Sequence, residues 1–198
     1  PNSFCAWSRM KLGWSPVISL SRDREQIELR DVGQGGTIFQ LPVNDREVFL
    51  MEYRRRQGNY YDRHIPGEGV LIWHAVPRPL IERKWSPVLV DLECADGRWR
   101  DAGYPLGRLA DAAQGEDNLD FWAHDQAYLK AHGGNLGDAS DPFDGVRFAA
   151  FTPQSNPGSF SDDGQSSVRV EQIRIVDGAA HMEVQTAPRL LAVENIRL

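Results

Sequence analysis

Two runs rich in β-branched residues flank the dipeptide Asp177-Gly178 near the end of the sequence. They span residues 168–176 and 180–185. Asp-Gly between two such runs is a strong local signal for a tight β-hairpin, because both residues tolerate the positive φ angles of the turn. The segment therefore predicts a pair of antiparallel strands.

Similar short runs recur through much of the chain, separated by turns rich in Asp, Gly and Asn. They occupy residues 16–20, 26–30, 37–41, 47–55, 69–75 and 87–93. Alternating or β-branched runs of this length are typical of antiparallel strands. The 18 Gly and 12 Pro residues also favour strands and loops over long helices. We expect a mainly β fold, an antiparallel β-sandwich-like domain with a short N-terminal helix and long Gly- and Asp-rich loops.

The short helix is expected within residues 3–12, where apolar residues recur at roughly helical spacing. Ser3 is a suitable N-cap and Gly13 a suitable end. Residues 119–131 indicate a second, less amphipathic helix. We expect that 1–14 is the end of an upstream domain, that 15–186 is a β-rich domain, and that 187–198 is a linker or the start of a further module.

Charge and hydropathy argue against two classes of partner. The chain has 22 basic and 28 acidic residues and a formal net charge of -6, and its one dense basic cluster is 54–56. We therefore expect no nucleic-acid partner. Apolar runs such as 70–73 are too short to span a bilayer, and no basic segment followed by an apolar one begins the chain, so we expect no membrane partner.

The two cysteines, Cys5 and Cys94, permit one disulfide but do not require it. Because free cysteines are commonly buried, two buried thiols are the expected state.

The sequence contains no HExxH motif. The five histidines are scattered without i,i+4 pairing, so no zinc-peptidase site can form from local helix geometry. Neither a Gly-x-Ser-x-Gly elbow nor a phosphate-binding loop is present. We expect the chain to be inactive by itself.

Several segments carry a resemblance to a known family. They are Cys-Ala-Trp-Ser-Arg-Met-Lys-Leu-Gly-Trp at 5–14, Val-Phe-Leu-Met-Glu-Tyr-Arg at 48–54, Ile-Pro-Gly-Glu-Gly-Val-Leu-Ile-Trp-His at 65–74, Val-Asp-Leu-Glu-Cys-Ala-Asp-Gly at 90–97, and Gly-Asp-Ala-Ser-Asp-Pro-Phe at 137–143. In this order they resemble the region that follows the zinc site and Met-turn in immune inhibitor A-type peptidases. The resemblance covers roughly residues 4 to 185.

This resemblance implies a secreted zinc metallopeptidase as the parent protein, with the zinc helix and the Met-turn upstream of Pro1. The chain would then be a noncatalytic C-terminal part that supports the catalytic domain of the same polypeptide. Zinc would belong to the parent only, and the location would be extracellular. One departure is Ala75, where the family usually has an acidic residue after the position of His74.

Three residues in these segments are candidates for a functional role. Glu52 and Arg54 are two positions apart on one predicted strand and face the same side, so we expect a structural ion pair. His74 ends an apolar run and could bind a metal or move a proton. A hydrogen-bonded structural histidine is the commoner case.

A structural calcium site is expected near residue 140, because three carboxylates within seven residues repel one another unless a cation or hydrogen-bond donors intervene. The spacing is not that of an EF-hand, and an Asx-turn loop with solvated carboxylates is the alternative. The candidate ligands are Asp138, Asp141 and Asp144, joined by Glu93, Asp96 and Asp117 if the loops meet.

Two further groups of residues leave alternatives open. His124 and His132 could bind a metal with Asp125, although incidental surface histidines are favoured. The tryptophans could include a sugar platform, although most are expected in the core or at turns; they are Trp7, Trp14, Trp73, Trp85, Trp99 and Trp122.

Two other functions compete with the peptidase hypothesis. The first is an independent β-sandwich module that binds carbohydrate or protein, which an exposed coplanar pair of tryptophans would favour. The second is a hydrolase in which Glu52 and an aspartate such as Asp62 face each other across a cleft at glycosidase separation.

Overall fold

The computed structural model of the chain describes residues 3–21, 24–77, 88–97, 139–161, 164–166 and 168–186. Within these residues the protein is mainly β, with two packed sheets and a short N-terminal helix. The expected fold class is confirmed.

The elements follow one another as α1 (Ala6–Leu12), β1 (Val17–Ser19), β2 (Glu25–Leu29), a 3-10 helix (Val32–Gln34), β3 (Ile38–Pro42), β4 (Val48–Arg54), β5 (Gly69–Pro77), β6 (Val88–Leu92), β7 (Val168–Val176) and β8 (Ala179–Thr186). In the described part of the chain, one sheet has the order β1-β3-β4-β5-β6 and the other has the order β2-β8-β7. Each strand overlaps one of the runs predicted from the sequence.

One strand pair departs from the antiparallel expectation. β1 runs parallel to β3, with Val17 opposite Ile38. The reason is the path of the chain: after β1 it crosses to the other sheet as β2, and it returns through the 3-10 helix to form β3 in the same direction as β1. The other strand pairs are antiparallel.

The predicted hairpin between β7 and β8 is confirmed. Asp177 and Gly178 have φ angles of 50° and 79°, so both central residues of the turn are left-handed, as a type I′ turn requires. The turn pairs Val176 with Ala179. Further from the turn, Gln172 also has a positive φ of 56°, and the register shifts between Glu171 and Arg174. This irregularity is a β-bulge.

The main core lies between the two sheets. Alternate residues of β3, β4 and β5 point into it from one side, and alternate residues of β2, β7 and β8 from the other. Phe49 and Phe151 meet edge to face there, with ring centroids 5.0 Å apart. Apolar burial in this layer is the main stabilising contribution to the sandwich.

The opposite face of the five-stranded sheet is covered by α1 and the loops beside it. Ala6 and Trp73 belong to this second core, with Cys94 buried and Cys5 half-buried beside them. No disulfide joins the two cysteines.

The helix α1 begins later than expected. Cys5 precedes its first residue without a side-chain cap, so Ser3 is not the N-cap. Gly13 ends the helix as predicted, with a φ of 67°, and its N–H donates to the Met10 carbonyl at 3.1 Å.

Candidate functional site

Glu52 and Arg54 lie on β4 and point to the face of the sheet that α1 covers. Arg54 Nη2 donates to both carboxylate oxygens of Glu52 at 3.0 Å, and neither side chain is exposed. From the neighbouring strand, Trp73 Nε1 donates to Glu52 Oε1 at 2.8 Å. The ion pair predicted from the spacing is therefore present, and it is fully buried.

The other side of the Arg54 guanidinium contacts the segment that precedes α1. Nη1 donates to the two Asp62 oxygens at 3.1 and 3.0 Å, and the Asp62 side chain is also fully buried. The Ser3 hydroxyl donates to Asp62 Oδ1 at 2.7 Å and accepts from Arg54 Nη1. Arg54 Nη2 also donates to the Phe4 carbonyl. We call Ser3, Glu52, Arg54 and Asp62 the Arg54 cluster.

The charges of the Arg54 cluster stabilise one another. Burial alone would raise the pKa of Asp62, but the charge of Arg54 and hydrogen bonds from Ser3 and Asn59 outweigh it and hold that pKa below its usual value. Burial would likewise lower the pKa of Arg54, and its two carboxylate partners raise it instead. Groups that stay ionised around neutral pH are poor acids and bases for catalysis. The role that this geometry supports is structural: the cluster holds residues 3–4 against the sheet.

This arrangement does not agree with the hydrolase hypothesis. Glu52 and Asp62 hold two sides of one guanidinium, and neither side chain is exposed. A glycosidase pair has to face a cleft that admits substrate and water. The hypothesis of a carboxylate pair across a cleft is therefore wrong for Glu52 and Asp62.

His74 lies on β5 between two glutamates. Its Nε2 is 2.9 Å from Glu47 Oε2, and its ring packs against Phe49 with a centroid distance of 4.7 Å. Its Nδ1 is 3.6 Å from Glu93 Oε1, which is beyond hydrogen-bond distance. Of the roles considered for His74, this geometry agrees best with the hydrogen-bonded structural one.

Glu93, beside His74, is a carboxyl with a strongly perturbed pKa. Burial, and then the neighbouring Asp91 carboxylate, raise the pKa of Glu93 to about 8. Asp91 lies directly opposite His74 in the register of β5 and β6. At neutral pH Glu93 is therefore mostly protonated.

Two of the loops expected to form the calcium site, 94–97 and 139–144, meet in the structure. The Ala95 N–H donates to the Asp141 carbonyl at 2.9 Å, and the Ser140 hydroxyl donates to Asp96 Oδ2 at 3.0 Å. Asp141 is 1% exposed. Asp96 and Asp141 therefore lie on two loops that are in direct contact.

Asp144 is used by its own turn. Its Oδ1 accepts from the backbone N–H groups of Val146, Arg147 and Phe148, and its Oδ2 accepts from Arg147 Nε at 2.8 Å. Burial would raise its pKa, but these hydrogen bonds outweigh burial and lower it. This is the turn geometry that the sequence offered as the alternative to calcium. In the described part of the chain, no group of three or more His, Cys, Asp or Glu side chains is arranged to hold a metal ion.

Some predicted residues lie outside the described residues. They are the candidate calcium ligands Asp117 and Asp138, the residues His124, Asp125 and His132, and the tryptophans Trp85, Trp99 and Trp122. The predicted helix 119–131 and the tail 187–198 lie outside them as well.

Three large apolar side chains are exposed on and beside α1. Phe4 is 54% exposed, Leu12 52% and Trp14 59%. The rings of Phe4 and Trp14 are in contact, with centroids 5.3 Å apart and planes inclined by 57°. We call these three residues the α1 apolar patch. Since Trp73 is buried and Trp7 is half-buried, the described tryptophans form no exposed coplanar pair.

The sequence did not indicate the partners that define these sites. Glu47 reaches His74 because β4 and β5 pair Val48 with Ala75. Asp62 reaches Arg54 from the loop between the same two strands. The only sequence signal for either contact is the expected hairpin pairing of the two strands, which sets register without fixing side-chain partners.

Comparisons with known proteins find no match for this chain among family models, curated proteins or solved structures. Among the described residues, no helix combines the length and the apolar character needed to cross a bilayer.

Proposed function

We propose that this chain is a noncatalytic part of a secreted zinc metallopeptidase of the immune inhibitor A type, and that it supports the catalytic domain of the same polypeptide. The observation that carries the proposal is the Arg54 cluster. It fixes the residues before α1 to the centre of a sheet through fully buried charges. The sequence resemblance assigns those residues to the end of the catalytic domain.

The physical argument concerns how two domains are held in a fixed orientation. A flexible linker lets neighbouring domains move relative to one another. Here the residues beside the boundary contact Arg54 and Asp62 through buried, charge-assisted hydrogen bonds, which are directional and costly to break. A domain that continues upstream of Ser3 would be attached rigidly to the β-sandwich.

The α1 apolar patch supports the same proposal. Contiguous exposed apolar surface is typical of interaction sites, and aromatic residues are enriched at the centres of interfaces. Phe4 and Trp14 flank the helix that the resemblance assigns to the catalytic domain. An upstream domain packed on this patch would bury it.

In this proposal the chain itself performs no proteolysis. The sequence has no zinc-binding helix, and the two histidines closest to each other, His124 and His132, are eight positions apart. Zinc and the extracellular location belong to the parent enzyme. Structural calcium bound by Asp96, Asp141 and neighbouring loops remains part of the proposal.

A comparison of the chain with its parent polypeptide tests the proposal. The purified chain with added zinc should cleave no casein, whereas the parent should be active. In the parent, the double substitution Phe4→Ser and Trp14→Ser should shorten the half-life of peptidase activity on heating, because it removes apolar contacts between the domains. Val146→Ser, at a residue that is 88% exposed in the 144–148 turn, is the matched control. Cleavage by the chain alone, or equal half-lives for the double variant and the control, would refute the supporting role.

An independent binding module is the second candidate function. The α1 apolar patch is also consistent with a separate protein partner. A carbohydrate ligand is less well supported, because Phe4 and Trp14 are inclined by 57° and do not form a flat platform. Saturable glycan binding by the isolated chain, lost on Trp14→Ser, would favour the binding module.

A further inference from the structure

A polar cleft with a volume of about 530 Å³ opens at one end of the three-stranded sheet. One wall is formed by the end of β2 and the 3-10 helix, and the other by the turn between β7 and β8. Its size is within the range of small-molecule sites. The charged and polar residues that line it include Glu28, Arg30, Asp31, Gln34, Arg55 and His181.

Arg55 is the cation in this cleft whose hydrogen-bonding capacity is unused. It directly follows β4, and its half-buried side chain lies against the backbone of Gly178 in the β7–β8 turn. A Cβ placed on Gly178 would be 2.5 Å from Arg55 Nη1. Among the described residues, the Arg55 guanidinium makes no ion pair and no hydrogen bond. The other arginine of the cleft, Arg30, donates to Glu28 at 2.7 Å.

Two of the three acidic residues around Arg55, Glu28 and Asp31, already have hydrogen-bond partners. Glu28 is paired with Arg30 and lies opposite His181 in the register of β2 and β8. Asp31 Oδ1 accepts from the Gly33 N–H at 2.7 Å, whereas its buried Oδ2 has no hydrogen-bond partner among the described residues. Burial is the largest influence on Asp31 and raises its pKa, and the charges of Arg54 and Arg55 only partly oppose this, so Asp31 is a weakened competitor for Arg55. Asp177 in the turn is exposed to solvent, and its side chain makes no hydrogen bond or ion pair with the described residues.

We propose that this cleft binds a ligand with a free carboxylate, held by the guanidinium of Arg55. A planar carboxylate matches the two parallel N–H donors of an arginine fork. The three acidic groups of the cleft would repel a phosphate dianion more strongly than a singly charged carboxylate. The volume suits the C-terminal end of a short peptide. This inference does not depend on the proposed function.

Acetyl-Ala-Ala-Ala with a free C-terminal carboxylate is the probe, and the same peptide with a C-terminal amide is its control. Binding is followed by NMR through the backbone amides of Gln34 and Gly178. The acid should cause saturable shifts at both positions, and the amide should not. Arg55→Gln should weaken binding of the acid by about tenfold or more, because hydrogen bonds to a charged group are lost.

Arg24→Gln is the matched control variant, because Arg24 pairs with Glu183 at 3.0 Å and does not line the cleft. It should leave the affinity unchanged. Arg55→Lys keeps the charge without the planar fork and should bind with intermediate affinity. Unchanged melting temperatures will show that the variants are folded. Equal binding of acid and amide, equal affinity of Arg55→Gln and the wild type, or no saturable shift up to about 10 mM peptide would each overturn the proposal.

Discussion

Arg54 and Glu52 are two positions apart on one strand, and one guanidinium nitrogen of Arg54 contacts both carboxylate oxygens of Glu52 in a site from which solvent is excluded. Residues at i and i+2 of a strand share a face, so strand geometry places both on the side covered by α1. Burying these charges is costly unless each has its partners. Asp62, Ser3 and Trp73 supply the partners that the pair itself does not.

Removing the cation should destabilise the fold strongly. Arg54→Met leaves Glu52 and Asp62 buried without a counterion, and we expect a loss of about 3–5 kcal/mol in the free energy of unfolding. Urea denaturation measures this loss. Arg46→Met, at an exposed position, is the control and should change the free energy by less than about 0.5 kcal/mol. A loss equal to that of the control would mean that the cluster does not hold the fold together.

Asp62→Asn should have an effect that depends on pH. The pKa of Asp62 is lower in the folded state than in the unfolded state, where it is about 3.9. Ionised Asp62 therefore stabilises the fold fully above about pH 5, and this stabilisation is lost as the pH falls further, through the lower, folded-state pKa. The difference in unfolding free energy between wild type and variant should be constant from about pH 5 to 7 and shrink in stronger acid. Urea titrations at several pH values measure it, and a difference that grows in acid would contradict the assignment.

Glu93→Gln should have the opposite effect on the pH dependence of the unfolding free energy, because the pKa of Glu93 is raised by folding rather than lowered. The pKa of Glu93 is about 8 in the folded state and about 4.3 in the unfolded chain. Between these values the folded state binds the extra proton, so the free energy of unfolding of the wild type falls as the pH rises. A glutamine carries no charge at any pH. The variant should therefore gain stability relative to the wild type across this window, by an amount on the order of a few kcal/mol above pH 8.

The same urea titrations check this prediction for Glu93, with Asp45→Asn as a control that removes one exposed charge. Parallel pH profiles for wild type and Glu93→Gln would show that Glu93 is ionised in the folded protein at neutral pH.

Calcium should distinguish two neighbouring aspartates. The Asp144 carboxylate already accepts hydrogen bonds from Arg147 and from its own turn. Asp144→Asn should therefore lower the melting temperature by the same amount with calcium as without it. We predict that calcium raises the melting temperature of the metal-stripped protein and that Asp141→Asn abolishes the increase. A melting temperature that calcium leaves unchanged would eliminate the calcium site.

The sequence predicted the strands well because their signals are local. The Asp177-Gly178 turn needs only the φ preferences of two residues, and the predicted run 168–176 has the same bounds as β7. Gly13 ended α1 for the same reason. The direction of β1 was not predictable in this way, because it depends on the crossing of β2 to the other sheet.

The candidate sites depend on contacts that local patterns do not contain. Ser3 fits the pattern of an N-cap, but its hydroxyl is drawn to Asp62, 59 positions away. Glu52 and Arg54 were paired correctly because strand periodicity sets their common face. The sequence analysis placed Asp62 in a cleft because nothing in its sequence neighbourhood shows that it is buried against Arg54.

The pairing of β2 with β8 has a consequence for how the chain is made. Gln26 and Glu183, in adjacent strands of one sheet, are 157 positions apart. At a synthesis rate of about 5–20 residues per second, β2 leaves the ribosome on the order of ten seconds before its partner exists. During that interval the strand that pairs with Ile27 and Leu29 has not been synthesised, and both side chains are exposed on the nascent chain. Chaperone dependence during translation, rather than instability of the finished molecule, is the expected cost of this topology.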